Sequence, residues 1–319
     1  MDAVSVDREL VAPEHLRTLQ ARRAGPGLRR FSLQALLYLG TAAGLIALEG
    51  IGQTGPRSPA HWLVLGVLVS VSALVQFGMF GMLHEACHKT ALADPKLNRV
   101  AAWFAALAQP MSPTLMRAFH FAHHRNTHVL ERDPELAGIA MMARWPRGLM
   151  VLANLTGLAV IIARVGWALF AALVPARAQG AWEAALPFVE PERRRVIGWE
   201  ARVLLGVHAG LIALAFTLLP GLRWVYLSLW LGHVMLAWYI TCEHRGLDLE
   251  GEDVLARTRS LVTPAWVRWL IWNMPYHAEH HAWPAVPWYN LPALHEQVRT
   301  HLVHRVRPLD LHLGRVSRG

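Results

Sequence analysis

The sequence predicts an all-α integral membrane protein with four transmembrane helices arranged as two hairpins. Of its 319 residues, 54% are hydrophobic, and they gather into runs of roughly 20, the length needed to cross about 30 Å of hydrocarbon. The formal net charge is +9, and the arginine-rich first thirty residues favour a cytoplasmic N-terminus. Two cysteines are too few for a disulfide framework or an iron–sulfur cluster.

The excess of positive charge favours contacts with anionic lipid headgroups over nucleic-acid binding, because no RNA- or DNA-binding motif accompanies it. The first thirty residues mix acidic and basic side chains and lack the apolar core of a cleavable signal peptide. We therefore expect a basic cytoplasmic segment over residues 1–30 and a membrane domain over residues 31–319.

The first predicted hairpin consists of two apolar runs on either side of a short turn. The first span covers residues 31–51 and holds no charge before Glu49. Glycine and proline mark a turn over residues 52–59, and residues 61–83 are long enough to return. If the basic segment is cytoplasmic, the chain re-emerges in the cytoplasm just before His84.

The middle of the chain holds apolar segments that are broken by proline or by charge. Residues 98–116 contain Pro110 and Pro113, and we expect an interfacial or re-entrant segment there. Residues 148–174 are apolar except for Arg164, whose insertion into lipid costs roughly 2.5 to 3.5 kcal/mol. That cost favours an in-plane amphipathic helix, although the apolar length leaves a fifth span open.

The second predicted hairpin lies in the C-terminal half. Residues 176–200 are polar and carry Arg193-Arg194-Arg195, which indicates a cytoplasmic loop with a short helix. Spans follow at about residues 203–219 and 222–241, with a Pro-Gly turn between them. The rest of the chain is then cytoplasmic, and it includes a predicted amphipathic tail helix from Leu291. Its histidines have no repeating spacing, so we expect solvated surface residues at His295, His301 and His304.

Eight histidines lie in three clusters. The clusters are His84 and His88; His120, His123 and His124; and His277, His280 and His281. The last two share the spacing H-x-x-H-H, which puts three imidazoles on one face of a helix. Imidazole is a common ligand of zinc, copper, iron and nickel. Eight donors exceed one tetrahedral site and suit two metal ions, so a dinuclear iron centre is the leading hypothesis.

Both hairpins deliver these clusters to one membrane face, because the first cluster follows the second span and the third lies beyond the fourth. Charge bias, span count and cluster position agree on this placement. The full prediction is therefore a four-span bundle with interfacial amphipathic helices and a cytoplasmic cap that carries the two-metal site.

Other metal chemistries fit parts of the pattern. His84-Glu85-Ala86-Cys87-His88 matches the zincin signature, with Glu85 as general base, but a membrane metalloprotease would leave two three-histidine clusters unused. A ferritin-like carboxylate centre needs two E-x-x-H pairs, and the clusters offer one. His208 and His233 could hold haem, although single histidines in apolar helices are more often core residues. A metal carrier would need polar residues along its spans, and these are almost wholly apolar.

In this order, the three clusters resemble the three histidine boxes of membrane fatty acid desaturases and related hydroxylases. The resemblance covers nearly the whole chain after residue 30, and it includes Trp272-Asn273-Met274-Pro275-Tyr276 before the third box and Arg132-Asp133-Pro134-Glu135 after the second. It implies an oxidoreductase with two iron ions that uses O₂ as co-substrate on an acyl chain. It also implies that Asn273 lies near a metal, directly or through water.

The resemblance leaves desaturation and hydroxylation open, because both begin with the same hydrogen abstraction, and it leaves the lipid and the position of attack open. The sequence holds no His-Pro-Gly-Gly haem signature of a fused cytochrome b5 domain. We therefore expect electrons from a separate ferredoxin, rubredoxin or cytochrome with its reductase. Arg193-Arg194-Arg195 suits an acidic partner, and topological anchoring explains the same run equally well.

Further residues near the boxes are candidates for supporting roles. Carboxylates that could orient imidazoles, or equally be solvated interfacial charges, are Glu85, Glu243, Glu279 and Asp133. Two irons with eight histidines are one donor short, and His244 at the exit of the fourth span is the expected ninth ligand. His128 is the second choice, whereas His233 would lie about 16 Å deeper in the membrane.

Overall fold

The computed structural model describes residues 10–52, 56–129, 131–142, 146–247 and 253–315, so the first nine residues of the predicted basic segment lie outside the described part. The described chain is mostly helical, as predicted. In chain order its helices and strands are α1 Pro13–Leu19, α2 Ala24–Gly52, α3 Pro59–His88, α4 Pro95–Ala108, α5 Pro113–Arg125, α6 Pro134–Met142, α7 Arg147–Leu155, α8 Leu158–Leu173, α9 Gln179–Ala185, α10 Pro191–Thr217, α11 Leu222–His244, β1 Ser260–Leu261, α12 Ala265–Leu270, α13 His277–Ala282, α14 Leu291–Val298, β2 Arg305–Val306 and α15 Pro308–His312.

Four membrane-crossing candidates coincide with α2, α3, α10 and α11 in the described part of the chain. This confirms the predicted count and the two hairpins, since α2 packs against α3 and α10 against α11. The helices continue beyond their apolar runs. Helix α10 already begins at Pro191, because a proline suits the first helical position. The prediction that Arg193-Arg194-Arg195 lies in a loop is therefore wrong, and these residues lie near the start of α10.

Helix α3 lies at the centre of the bundle and packs against α2, α4, α5 and α11. Its side chains Met79, Met82 and Leu83 are completely buried. On one face, Gly78 and Gly81 allow the backbone at the end of α12 to approach closely, because an added Cβ at Gly78 would clash with the Leu270 carbonyl oxygen and one at Gly81 would lie 2.5 Å from that of Ile271. This approach brings the chain that leads into the third histidine box against α3.

The interfacial segment predicted over residues 98–116 forms α4 and the first turn of α5. Helix α5 begins where it does because Ser112 caps it: the Leu115 N–H donates to Ser112 Oγ at 3.1 Å, and Pro113 follows the cap. Ser112 Oγ and Thr114 in turn donate to the carboxylate of Glu200 on α10. The helix of the second histidine box is thus attached to the second hairpin.

Residues 148–174 form two helices rather than the single in-plane helix that we predicted. Helices α7 and α8 meet at 90°, and Gly157 at the corner has φ +69° and lies against the backbone of His233. Arg164 is buried, and its Nη1 donates to the Gln109 carbonyl oxygen at 3.2 Å and contacts His233 Nε2 at 3.1 Å. Arg164, whose charge favoured a surface helix in the prediction, is therefore hydrogen-bonded inside the protein.

The C-terminal region closes over the bundle with short elements. Helix α14 has only eight residues, so the long amphipathic tail helix that we predicted is wrong beyond Val298. The chain then enters β2, which pairs in parallel with β1 through Ser260 with Arg305 and Leu261 with Val306. Strands of two residues are too short to produce an alternating hydrophobic pattern, so no pattern in the sequence predicted them.

Candidate metal centre

Four helices bring the histidines together at one end of the bundle. The first box occupies the last two turns of α3, the second lies on α5, the third on α13, and His244 is the last residue of α11. Helix α3 stops directly after His88 because Lys89 adopts a left-handed conformation, with φ 61°. The helix ends, rather than the spans themselves, therefore carry the imidazoles.

The histidines divide into two groups whose ligand atoms lie within 4.8 Å of one another. The first group is His84, His88, His120, His124 and His280, and the second is His123, His244, His277 and His281. All eight box histidines fall in these groups together with His244. Each group mixes residues from several helices, so neither a single box nor a single helix forms a group by itself.

The ring nitrogens converge within each group. In the first, Nε2 of His280 lies 2.7 Å from Nε2 of His84 and 3.1 Å from Nε2 of His88, and His120 Nε2 lies 2.7 Å from that of His88. In the second, His244 Nε2 lies 2.8 Å from His277 Nε2 and 3.2 Å from His123 Nε2. The two groups are adjacent, since the rings of His124 and His281 stack with centroids 4.0 Å apart.

In the second group, hydrogen bonds to residues outside the group determine which ring nitrogen carries the proton in three of the histidines. His123 Nδ1 donates to Asp133 Oδ1 at 2.9 Å, and His244 Nδ1 donates to the Arg257 carbonyl oxygen at 2.9 Å. His281 Nδ1 lies 3.1 Å from Thr127 Oγ1, which already donates to the backbone of α5. The Nε2 lone pairs of these rings therefore face the centre of the group, and His281 Nε2 is buried with no hydrogen-bond partner.

Lone pairs that face one another at such distances repel unless a cation lies between them. Nine clustered imidazoles therefore fit bound metal ions, and they form a purely nitrogen donor set of the kind that suits iron, zinc or copper. The electrostatics of His123 agree with this. Burial lowers the pKa of its ring, but the carboxylates of Asp133 and Glu135 outweigh burial and raise the pKa to about 9. The second group thus attracts positive charge.

The other box histidines outside the spans are held in the neutral form that binds metals. Burial, followed by the charge of neighbouring imidazoles, places the pKa of His120, His124, His277 and His281 well below the ordinary value, and burial lowers that of His280 to about 3. Neutral rings carry a free lone pair at physiological pH, so they need not lose a proton to bind a cation.

The acidic candidates take different positions. Asp133 meets His123 as described, and Glu243 Oε1 lies 3.3 Å from His277 Nδ1. Glu85 instead accepts from Thr90 Oγ1 at 2.6 Å and from the Trp288 backbone N–H at 3.3 Å. That position differs from the one a zincin general base would take. Glu279 is completely buried, and it accepts from Ser260 Oγ and from His295 Nδ1.

The prediction that His295 is a solvated surface residue is therefore wrong, because its ring binds Glu279 and is largely buried. Sequence reasoning also missed Glu135, whose Oε2 lies 3.5 Å from His123 Nδ1. The sequence signal that could have indicated Glu135 is its position two residues after Asp133, in Arg132-Asp133-Pro134-Glu135. The carbonyl of Arg257 carries no sequence signal, since any residue supplies a backbone oxygen. Thr127 acts through its hydroxyl, and sequence reasoning missed it because its partner His281 lies 154 positions away.

The remaining histidine candidates, His128, His208 and His233, lie outside both groups. His128 has φ 59°, and its ring centroid lies 5.5 Å from that of His244. Asn273 has φ 57° and donates from Nδ2 to the Trp288 carbonyl oxygen at 2.9 Å. His208 Nδ1 pairs with Tyr226 Oη at 3.0 Å, and His233 uses both ring nitrogens, for Arg164 and for the Leu229 carbonyl. His208 and His233 therefore do not form the haem pair that the sequence left open.

Comparison with known proteins agrees with this geometry. The family model described as fatty acid desaturase matches residues 60–310, which contain all nine clustered histidines. The chain is also 23% identical over 324 aligned positions to the Delta(6)-fatty-acid desaturase of Caenorhabditis elegans, an alignment that covers 93% of this chain and 70% of that protein. The boxes, the four-span bundle and the extent of the match together show that the chain belongs to the fatty acid desaturase family.

Proposed function

We propose that the protein is an oxygen-dependent di-iron lipid desaturase that introduces a double bond into an acyl chain with externally supplied electrons. The observation that carries the proposal is the division of nine imidazoles into adjacent groups of five and four. Two groups of this kind suit two metal ions, whereas a zincin uses one ion and a carboxylate base. Family membership and the name of the nematode relative support the same activity.

The proposed ligand sets follow the two groups. His84, His88, His120, His124 and His280 would hold one iron, and His123, His244, His277 and His281 would hold the other. Asn273 would contribute through water, with its side chain held in place by the hydrogen bond from Nδ2 to the Trp288 carbonyl oxygen. Two iron ions would supply, together with O₂ and two electrons, an oxidant strong enough to remove hydrogen from an unactivated methylene.

The protein's own contribution is to orient the ligands and to keep water out. Asp133 holds the His123 ring with its proton on Nδ1, and the Arg257 carbonyl does the same for His244. Phe121 packs beside His88 with ring centroids 5.1 Å apart, and Phe80 lies 6.2 Å from His84. These rings make the edge of the first group apolar, which suits an acyl chain and disfavours water.

The experiment that tests the activity is expression in a host with simple membranes, followed by mass spectrometry of total lipids. A desaturase removes two hydrogens from an acyl chain, and a hydroxylase adds one oxygen, so the mass change identifies the reaction. A control strain should carry His120→Ala, which removes one proposed ligand. Unchanged lipids in the wild-type strain, with iron bound and a reductase system present, would contradict both reactions. Zinc without iron in protein from its native host would favour a hydrolase.

We further propose that the metal centre faces the cytoplasm. The basic residues before α2 support this side by the positive-inside rule. Both native cysteines are buried, so single added cysteines can report topology. Arg299→Cys should react with a membrane-impermeant maleimide only in permeabilised cells. Leu218→Cys, at the exposed turn after α10, should react in intact cells, and the reverse pattern would contradict the proposed side.

A separate electron donor completes the proposal. Of the arginine run at the start of α10, Arg193 and Arg195 are exposed, whereas Arg194 is buried with its guanidinium 5.9 Å from the Trp182 ring. Only the two exposed arginines are available to an acidic ferredoxin, rubredoxin or cytochrome. The buried one has a packing role instead.

A further inference from the structure

A cavity of about 410 Å³ lies beside the start of α2, and none of the clustered histidines lines it. Its walls combine basic and aromatic side chains. The basic residues are Arg23, Arg29 and Arg30, and the aromatic residues are Trp269, Trp288 and Tyr289. Such a lining indicates a ligand with negative charge, because the three guanidinium groups attract an anion, whereas the ring faces hold the arginines in place through cation–π contacts.

Arg30 is the residue that makes this cavity unusual. It is only 4% exposed, yet none of its three guanidinium nitrogens has a hydrogen-bond partner in the part of the chain that the structure describes. Its Cζ lies 3.7 Å from the centre of the Trp269 ring, which attracts the cation without neutralising it. Among the described residues, no carboxylate forms an ion pair with any of the three arginines. A buried charge without a partner lowers stability, so the fold retains Arg30 at a cost.

A second buried donor lies in the same wall. The indole Nε1 of Trp288 is buried, and no described residue accepts a hydrogen bond from it. The edge of the cavity is fixed by Arg23, whose Nη2 donates to Asn290 Oδ1 at 3.1 Å and whose backbone N–H donates to Tyr289 Oη at 2.6 Å. A guanidinium fork and an indole N–H that both lack acceptors are matched by the several oxygens of a phosphate group.

The cavity lies at the level of the first histidine box, and exposed apolar side chains border it. At the start of α2, Gly27 lies against the backbone of Ala91, three residues after the first box ends at His88. The Trp288 backbone donates to Glu85, inside that box. Leu33 and Trp269 at the mouth are 44% and 46% exposed, as expected for side chains at the headgroup level of a membrane.

We propose that this cavity binds the phosphate group of an acyl lipid and thereby holds that lipid beside the metal centre. That the lipid is held beside the metal centre rests on the proposed function, whereas the binding of phosphate in the cavity does not. A phosphate could also reach the cavity as the free ion, so the test compares both sources. The probes are dihexanoyl phosphatidic acid, which is a soluble short-chain phospholipid, and inorganic phosphate.

The test measures affinity and the thermal unfolding midpoint of the purified full-length protein in a neutral detergent. Phosphatidic acid should raise the midpoint of the wild type, and inorganic phosphate should bind more weakly. Arg30→Met should weaken the lipid's affinity by about tenfold or more, because a charge-assisted contact is lost. It should not lower the midpoint without lipid, since it removes an unpaired buried charge. Arg29→Gln, at an exposed position, should weaken binding by a smaller factor.

The matched control is Arg223→Gln, which removes an exposed arginine at the start of α11, and it should bind like the wild type. Equal lipid affinity in Arg30→Met and the wild type would overturn the site. If the thermal midpoint of Arg30→Met also fell, the role of Arg30 would be to pack on Trp269. Inorganic phosphate binding as tightly as the lipid would overturn the lipid assignment. Binding at Arg30 without any lipid conversion would contradict the proposed function and leave this site intact.

Discussion

His244 and His277 are 33 positions apart in the chain, yet their Nε2 atoms lie 2.8 Å from each other. One ends a membrane-crossing helix and the other begins the short helix of the third box. This pair joins the second hairpin to the C-terminal region at the metal centre. Through this contact His244, which lies outside the three boxes, joins the second group.

The first prediction concerns this ninth histidine. His244→Ala should reduce the bound metal from two ions to one per chain and lower turnover by more than about 100-fold, because it removes a direct ligand rather than an outer partner. Metal content by elemental analysis and product by mass spectrometry measure the two effects. His128→Ala and His208→Ala should keep both ions. Full metal content in the His244 variant would refute the assignment, and a larger loss at His128 would move the ninth ligand there.

The second prediction concerns Asp133. Asp133→Asn should lower metal affinity by about 10- to 100-fold, because the neutral amide no longer fixes the His123 proton on Nδ1 as the carboxylate does. Competition with a chelator measures the affinity. Glu131→Gln, an exposed neighbour on the same loop, is the control and should bind metal like the wild type. Equal affinity in the two variants would show that Asp133 does not orient the ligand.

The third prediction concerns the approach of the third box to α3. Gly78→Ala and Gly81→Ala should each lower the free energy of unfolding by roughly 1–3 kcal/mol, because the added Cβ meets backbone that cannot rotate away. Both should also lose metal, since the segment before α13 must move. Gly66→Ala on the same helix meets nothing within 4 Å, so its thermal midpoint should not fall. Wild-type midpoints in the first two variants would contradict the close packing.

The fourth prediction concerns the buried carboxylate of Glu279. His295→Ala removes its ring donor and should lower the free energy of unfolding by about 1–3 kcal/mol. His301→Ala changes an exposed histidine in the same tail and should stay within about 0.5 kcal/mol of the wild type. Thermal midpoints in detergent compare the two. Equal midpoints would mean that Ser260 alone satisfies Glu279.

The fifth prediction concerns the electron donor. If charge steers an acidic donor to Arg193 and Arg195, turnover with that donor should fall as ionic strength rises, because added salt screens the attraction. The double change Arg193→Gln and Arg195→Gln should reduce this dependence, while Arg223→Gln should keep it. Turnover that is insensitive to salt in the wild type would assign the arginines to membrane anchoring.

The spans and the clustering of the histidines were predictable because both depend on patterns that can be read without tertiary information. An apolar run reports burial in lipid, and H-x-x-H-H reports one helix face. Which histidine joins which group was not predictable: His123 and His124 are neighbours in the chain but fall in different groups. On a helix, neighbouring side chains point about 100° apart, and the partners that each one meets depend on how α5 packs against the other helices, which no local pattern encodes. Arg164 led to the wrong prediction of a surface helix for the same reason, because its partners Gln109 and His233 lie in distant parts of the chain.

The spread of the histidines along the chain has a consequence for biosynthesis. About 190 residues separate His88 from His281, which at 5–20 residues per second is roughly 10 to 40 s of translation. Both groups include histidines of the third box, so neither can close until α13 has left the ribosome. If the two groups bind metal ions as proposed, loading follows insertion of both hairpins. Until then the imidazoles of the first two boxes stand at the membrane surface, where any divalent ion that arrives early meets an incomplete site.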